Sequence, residues 1–262
     1  MGKVPFDVDL ALDAGVFVSA VRQHGKTKLC ELLVDRLIDK GCFVKVFDVS
    51  KAWNDSNIPY RVTLKDCRNV YYPQYGSVVF DLSRLYMSQQ QMVVQLILGA
   101  DFRQRTASDK PKGLPWTVYV FEEAQIIMPN GSLRSSYAQE ALRTVSVGAN
   151  FNLGYMLVSQ RPADVSTKAI SRCSQFYLGR HIEVNDVTKL KRFLGIRKYD
   201  EAHLLLSKLH KRQFIYYNGN KLKKFTTPNY IQHVTQREYR KPSFWQRLFN
   251  PNTEKFTYQA IP

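Results

Sequence analysis

Short apolar runs alternate with helix-period segments along most of this chain. Runs rich in Val, Ile, Phe and Tyr at 15–20, 42–48, 77–80, 117–122, 154–159, 175–179 and 213–217 predict strands. Apolar residues at helical spacing predict helices at 26–40, 88–105, 134–149 and 186–194, with a shorter one at 199–208. Ser88 and Gln91 read as a capping box before the periodic run Met92 to Leu98. Strands and helices taken in alternation predict an α/β fold with a mainly parallel central sheet flanked by helices. Residues 49–76, richer in Asn, Pro and Tyr, interrupt that rhythm and read as an irregular excursion with a short strand pair. Residues 106–116 are polar with two prolines and read as a surface loop.

The rhythm ends near Asn218. Asn218-Gly-Asn-Lys221 is a turn signal between strands at 213–217 and 221–226, so a C-terminal hairpin is expected. The expected division is a core over 1–217 and, over 218–262, the hairpin with a basic, aromatic arm. Within the arm, Phe244, Trp245, Leu248 and Phe249 would form the apolar side of one or two helical turns. That side suits packing on the chain's own core, on a neighbouring subunit or on another protein. There is no internal repeat and no low-complexity tract.

Three strand ends carry candidate chemistry. The run Val16-Phe-Val leads through a loop to Gly25-Lys26-Thr27, and Leu29, Leu32, Leu33 and Leu37 continue as a helix. This is the strand–loop–helix setting of a phosphate-binding G-x-x-x-x-G-K-[ST] loop, with Ala20 in place of the first glycine. Alanine resists positive φ, so either the loop starts from an ordinary backbone angle or the match is chance at a helix N-terminus. In the first reading Gln23, His24, Gly25, Lys26, Thr27 and Lys28 cradle a polyphosphate, Lys26 reaches its β- and γ-phosphates, and the Thr27 hydroxyl binds Mg²⁺.

The second strand, Thr117-Val-Tyr-Val-Phe, ends in Glu122 and Glu123. Ligands gather at this edge of open α/β sheets. Glu122 is expected in the Mg²⁺ shell, directly or through water, and Glu123 as the group that orients or deprotonates an attacking water. Adjacent carboxylates elsewhere are ordinarily solvated surface. The third strand, Gly154-Tyr-Met-Leu-Val, ends in Ser159-Gln160-Arg161-Pro162. Gln160 is expected beside the γ-phosphate; an amide holding a strand-end loop is the plainer alternative.

Composition narrows the partners. The 262 residues are 44% hydrophobic, enough for one large α/β core with a short appendage. The formal net charge of +16 favours a polyanion. Nucleic acid and an anionic membrane surface both qualify, and a merely basic protein would carry the same charge. Cys30, Cys42, Cys67 and Cys173 lack C-x-x-C spacing and read as small apolar residues of a reducing compartment. The five histidines are scattered, so a zinc site is not expected. No apolar run reaches the length of a transmembrane span, and Met1-Gly-Lys-Val-Pro5 has no secretory h-region. Phe6 stands where a myristoylation signal needs Ser or Thr.

The segments Gln23-His-Gly-Lys-Thr27, Phe121-Glu-Glu-Ala-Gln125 and Val158-Ser-Gln-Arg-Pro-Ala-Asp164 together resemble the HerA/FtsK branch of the P-loop ATPases. The strand ending Val44-Lys-Val-Phe-Asp48 resembles the one that follows the phosphate-loop helix in that branch, and the likeness spans about residues 13–215. It implies a RecA/FtsK-like fold, ATP and Mg²⁺ as cofactors, and a ring of identical subunits, a hexamer in preference, that moves double-stranded DNA without reading its sequence. It also implies an arginine inserted from the neighbouring subunit. Arg143, on the helix between the second and third strands, is the expected one, with Arg172 and Arg180 as alternatives. The basic loops 103–112 and 189–198 are expected to track DNA phosphates.

The near absence of added segments resembles the genome-packaging ATPases of icosahedral viruses with internal membranes. That implies a capsid or membrane-vertex protein as a further partner, the host cytoplasm as location, and the virion as a second one. A plasmid or chromosomal DNA pump of conjugation or end-processing and a phage-extrusion protein remain open. So does a P-loop scaffold without hydrolysis.

Overall fold

A computed structural model describes residues 4–54, 56–67, 70–73, 75–108, 111–131, 139–229 and 237–238. In chain order the elements are α1 (Val8–Ala14), β1 (Val16–Ser19), α2 (Lys26–Asp39), β2 (Phe43–Asp48), β3 (Tyr60–Thr63), β4 (Val78–Asp81) and α3 (Met87–Thr106). They continue with β5 (Thr117–Phe121), α4 (Ala124–Ile127), α5 (Gln139–Val147), β6 (Leu153–Ser159), α6 (Thr167–Ile170) and β7 (Gln175–Leu178). The last are α7 (Val184–Phe193), α8 (Tyr199–Ser207), β8 (Gln213–Tyr217), β9 (Leu222–Thr226) and β10 (Arg237–Glu238).

Among the described residues ten strands form one sheet, in the order β10-β3-β4-β2-β5-β6-β1-β7-β8-β9. Pairing is parallel from β10 to β7 and antiparallel only at β7–β8 and β8–β9. The expected parallel α/β architecture and hairpin are therefore present. The strands read as unbroken apolar runs because both faces of the sheet are covered. Phe17, Phe47, Tyr119 and Phe121 point to the face packed by Val93, Val94, Ile97 and Leu98 of α3. Val16, Val18, Val44, Val46, Val118 and Val120 point to the opposite face, packed by Leu29, Leu33 and Leu37 of α2. Phe47 stacks on Phe80 and on Phe121, each at 5.5 Å between ring centroids, which locks β4, β2 and β5 side by side. Full burial of each such side chain contributes roughly 1.5–3 kcal/mol.

One polar group lies inside the first of these layers. Lys45 Nζ meets Asp101 Oδ2 at 2.7 Å, and both are buried. The Tyr119 and Tyr72 hydroxyls donate to the same carboxylate at 2.7 and 3.1 Å. Burial pulls the Lys45 ammonium down from its ordinary range, and Asp101 opposes that pull.

Several local expectations change. The box at the start of α3 is formed by Tyr86, whose N–H donates to Gln89 Oε1 at 3.0 Å, so Ser88 sits inside the first turn instead. The excursion at 49–76 contributes β3, which pairs in parallel with β4 and β10 rather than with a strand of its own segment. Of the helix predicted at 134–149, Gln139–Val147 is α-helical and Gly148–Phe151 tightens into a 3₁₀ turn, while residues 132–138 lie outside the described residues. The arm with Phe244, Trp245, Leu248 and Phe249 also lies outside them. The sequence reading missed α1, which is only two turns long and is capped by Asp7 accepting from the Leu10 N–H at 3.0 Å. Cys30, Cys42 and Cys173 are buried free thiols, and Cys67 is half-buried. No helix of the described residues is long and apolar enough to cross a membrane.

Candidate functional site

The parallel strands β1, β5, β6 and β2 all release their chain at one edge of the sheet, and the four segments they release meet there. The segment after β1 turns twice. Gln23 (φ 59°) and Gly25 (φ 103°) adopt left-handed backbone, with His24 of ordinary hand between them, before α2 begins at Lys26. Alternating hands aim successive N–H groups at one point, the geometry of an anion nest. Ala20 keeps an ordinary backbone. Its methyl group finds room because residue 179 is glycine: a Cβ there would lie 2.6 Å from the Ala20 Cβ and 2.4 Å from the His24 ring. The non-glycine start of the loop is thus compensated from β7.

Around this loop opens a cleft of ≈ 650 Å³. Its lining includes Gln23, Gly25, Lys26, Thr27 and Lys28 from the loop and α2, Glu122 and Glu123 beyond β5, and Gln160 beyond β6. The three strand ends that the sequence singled out therefore come together. His24 does not join them through its side chain. The ring is buried, donates from Nε2 to the Gln213 carbonyl at 2.8 Å, and packs edge-on against Phe214 at 5.1 Å. Burial lowers its pKa, which favours the neutral ring that this packing requires.

Lys26 Nζ bridges the Ala20 and Val21 carbonyls at 2.9 and 3.2 Å, so its ammonium closes the loop on itself. Burial lowers its pKa, and Glu123 and Glu122 act the other way. Beside it, Lys28 pairs with the buried Glu31 at 2.9 Å. At the foot of the loop, Ser19 Oγ donates to the Ser159 carbonyl at 2.9 Å and accepts from His181 Nε2 at 3.1 Å. Burial holds the His181 pKa down to about 3, so this ring is a neutral donor.

The two carboxylates differ. Glu122 is almost fully buried; its pKa is pushed up to about 7, chiefly by burial, with the Trp53 hydrogen bond opposing and Glu123 adding to the rise. Glu123 has left-handed backbone (φ 51°) at the start of α4. Its Oε2 accepts from Gln125 at 2.7 Å and its Oε1 accepts from the Gln160 amide. Gln125 Oε1 in turn accepts from Ser159 Oγ at 2.8 Å. Glu123 and Gln160 are thus one hydrogen-bonded unit across β5 and β6. A left-handed non-glycine residue at this place stores backbone strain of about 1–3 kcal/mol, as functional sites often do.

Sequence reasoning missed the support of Glu122. Asp48 ends β2 and accepts from the N–H groups of Ser50, Ala52 and Trp53, each at 3.1 Å. The turn so formed places Ser50 and Ala52 in the cleft wall. It also aims Trp53 Nε1 at Glu122 Oε2, 3.1 Å away. An Asp closing a strand, with Ser50 and Lys51 just beyond it, was the available signal; a tryptophan five residues later was not one. Arg22, an unassigned position inside the phosphate-loop motif, and Lys211, whose sequence neighbourhood carries no signal, also line the cleft.

Arg143 stands apart from the cleft. It lies on α5 with its guanidinium over the Phe102 ring at 4.5 Å and 3.5 Å from Glu140. Arg172 lines a separate small cavity beside Leu12, Tyr155 and Val145. Arg180 is exposed beyond β7, where its carbonyl accepts from the Val21 N–H at 3.0 Å. Of the two segments expected as basic loops, 103–106 belong to α3 and 189–193 to α7, and in the first Arg105 is spent on Thr117, Pro115 and Phe151. Lys189 is spent on the carbonyls of Ala163 and Val165. Arg103, Lys112, Arg192, Arg197 and Lys198 remain exposed.

Among the described residues no cluster of three or more His, Cys, Asp or Glu suits a metal. Mg²⁺ needs no such cage, since it binds through one or two protein oxygens with phosphate and water completing its shell. Thr27 and Glu122, two oxygen donors on the cleft wall, fit that requirement.

No protein-family model matches the chain. A probable helicase of Methanocaldococcus jannaschii is 34% identical over 88 residues, which are 33% of this chain and 17% of that protein, so the chain spans less than a fifth of that relative. The genome-packaging NTPase B204 of Sulfolobus turreted icosahedral virus 2, in complex with AMP, superposes with a TM-score of 0.60 at 16% identity, over 84% of this chain and 99% of that one. VirB4 of Thermoanaerobacter pseudethanolicus gives 0.58 at 10% identity, over 82% and 89% of the two chains. The conjugation coupling protein TcpA of pCW3 gives 0.52 at 12%, over 82% and 60%. The chain shares the fold of these proteins.

Proposed function

We propose that this chain is an ATPase motor that moves double-stranded DNA, and that its task is to package a viral genome into a capsid. The observation that carries the reading is the convergence of Lys26, Thr27, Glu122, Glu123 and Gln160 on one cleft. Four cations (Arg22, Lys26, Lys28, Lys211) and two carboxylates line it, a balance suited to a polyphosphate.

In this reading the loop at Gln23–Thr27 receives the phosphates, and Lys26 exchanges the Ala20 and Val21 carbonyls for phosphate oxygens. Thr27 and Glu122 would hold Mg²⁺, which would neutralise charge on the phosphates. Glu123 takes the proton of the attacking water, and Gln160, already bonded to it, sets the direction of that carboxylate. Arg143 lies outside its own cleft on a partly exposed helix face, as a group serving a neighbouring copy must. That supports a ring, with a hexamer as the expected closure. The charge of +16 supports duplex DNA held through its phosphates without sequence readout. Similarity to B204 over 99% of that chain supports packaging, with a capsid or membrane-vertex protein as docking partner in the host cytoplasm. The likeness to VirB4 and TcpA favours a conjugation-type pump as the second reading.

The test is ATP hydrolysis by the purified protein with and without duplex DNA, beside Lys26→Ala and Glu123→Gln. Stimulation by unrelated duplexes, loss of nucleotide binding in the first variant and retained binding without turnover in the second are expected. A wild-type protein that binds ATP but never hydrolyses it would leave only a scaffold.

A further inference from the structure

We propose that the turn Lys211–Gln213 is a second wall of the phosphate cleft and that Lys211 is a binding residue for the phosphate chain, supplied by the same subunit from about 185 residues beyond the loop. The proposal rests on the reading of this cleft as a nucleotide site.

Lys211 lines the cleft together with Lys26, Lys28 and Arg22. It is exposed and makes no ion pair among the described residues, so its ammonium is free to meet a ligand. What sets it apart from other surface lysines is how rigidly its backbone is tied to the phosphate loop. The next residue, Arg212, has left-handed backbone (φ 69°). Its N–H donates to the His24 carbonyl at 2.9 Å, and its own carbonyl accepts from Thr227 at 2.9 Å. One residue on, the Gln213 carbonyl accepts from His24 Nε2 at 2.8 Å. The loop residue His24 is therefore held by the turn through both its backbone and its ring.

The Arg212 side chain completes the seat. Its Nε and Nη2 donate to the Thr227 carbonyl at 3.2 and 2.5 Å, and Nη1 donates to Asn229. Its stem lies against Gly25, where an added Cβ would come within 3.3 Å of Arg212 Cγ. A left-handed arginine costs conformational energy that only surrounding structure can offset. Here the offset is the set of bonds to the phosphate loop and to the end of β9, and the result is that Lys211 stands over the cleft. Two carboxylates line the same cleft, so a highly charged polyphosphate gains from every cation placed against it.

The experiment measures affinity for ATP, ADP and adenosine by calorimetry or a fluorescent analogue in wild type, Lys211→Ala, Lys211→Arg and Lys26→Ala. Lys211→Ala should lose about 5-fold or more in ATP affinity, in line with a charge-assisted contact. It should leave adenosine binding and the melting temperature unchanged, and Lys211→Arg should recover most of the loss. The salt dependence of ATP binding should flatten in Lys211→Ala. If Lys26→Ala loses ATP while Lys211→Ala binds it like wild type, the inference is overturned and the nucleotide site stands. If wild type binds no nucleotide, both fall together. Equal loss of ATP and adenosine affinity in Lys211→Ala would make the residue a structural element of the cleft and also overturn the assignment.

Discussion

The indole N–H of Trp53 donates to Glu122 at 3.1 Å, joining the turn beyond β2 to the carboxylate that follows β5. The bond engages Oε2, so that in the proposed reading Oε1 would be the oxygen left to a cation. It also opposes the upward push of burial on the Glu122 pKa.

Trp53→Phe keeps an aromatic ring in this fully buried place but removes the donor. Glu122 should then hold its proton more tightly. The Mg²⁺ concentration for half-maximal hydrolysis should rise several-fold, and the acid limb of the pH–rate profile should move to higher pH. Metal-free nucleotide affinity should stay within about 2-fold, because the phosphate loop is not touched. A magnesium titration identical to wild type would remove Trp53 from the site.

Glu122 also sets a pH dependence of stability. Its folded pKa of about 7 lies above the ordinary 4.5. Between those values the folded chain keeps a proton that the unfolded chain has lost. Stability therefore falls as pH rises from about 4.5 to about 7, by roughly 3 kcal/mol in all. Glu122→Gln carries no such penalty. Without nucleotide, the variant should gain melting temperature over wild type as pH rises from 5 to 8, and parallel curves would contradict the buried carboxylate.

The Lys45–Asp101 pair makes a core prediction. Lys45→Met leaves Asp101 with two tyrosine donors but without its ion-pair partner, which should cost about 3–5 kcal/mol. Adding Asp101→Asn removes the stranded charge and keeps an acceptor for Tyr119, so the double variant should be the more stable of the two. Urea unfolding of both would decide; a double variant no better than the single would mean that charge is not the issue.

Arg143→Ala should fold, since it gives up only a half-exposed contact with Phe102 and Glu140, worth about 1 kcal/mol or less. It should bind nucleotide and lose most hydrolysis. Mixed with Glu123→Gln, it should regain part of the activity, because some interfaces then join an intact arginine to an intact glutamate. Absence of recovery in co-assembled mixtures would shift the role to Arg172 or Arg180.

The sheet was legible because burial on both faces writes each strand as an unbroken apolar run, and the motifs were legible because each sits where such a run stops. Gly25-Lys26-Thr27, Glu122-Glu123 and Gln160 all follow that rule. What stayed hidden depends on contacts between distant segments. Gly179 makes room for Ala20 and the His24 ring, and no local pattern marks it. His24 looked like a loop ligand, yet its ring belongs to Gln213 and Phe214. Lys211 reaches the cleft from a turn tied to His24 across the fold, and Trp53, fully buried, reaches Glu122 from the turn beyond β2. β3 was misjudged because its partners, β4 and β10, lie elsewhere in the chain.

The central place of β1 governs when the site can exist. Its partners β6 and β7 begin 137 and 159 residues after it, at Leu153 and Gln175 against Val16. Contacts that close so large a loop form slowly and late. At roughly 5–20 residues per second of synthesis, about 10–30 s separate the emergence of Val16 from that of its second partner. Until β6 emerges, Val16, Phe17 and Val18 lack both neighbours, and until β7 follows they lack one of the two. A nascent chain halted before Leu153 would carry every residue of the motif Gly25-Lys26-Thr27 and neither of the strands that hold β1 in the sheet, so in the proposed reading the residues of the motif exist long before the site they belong to.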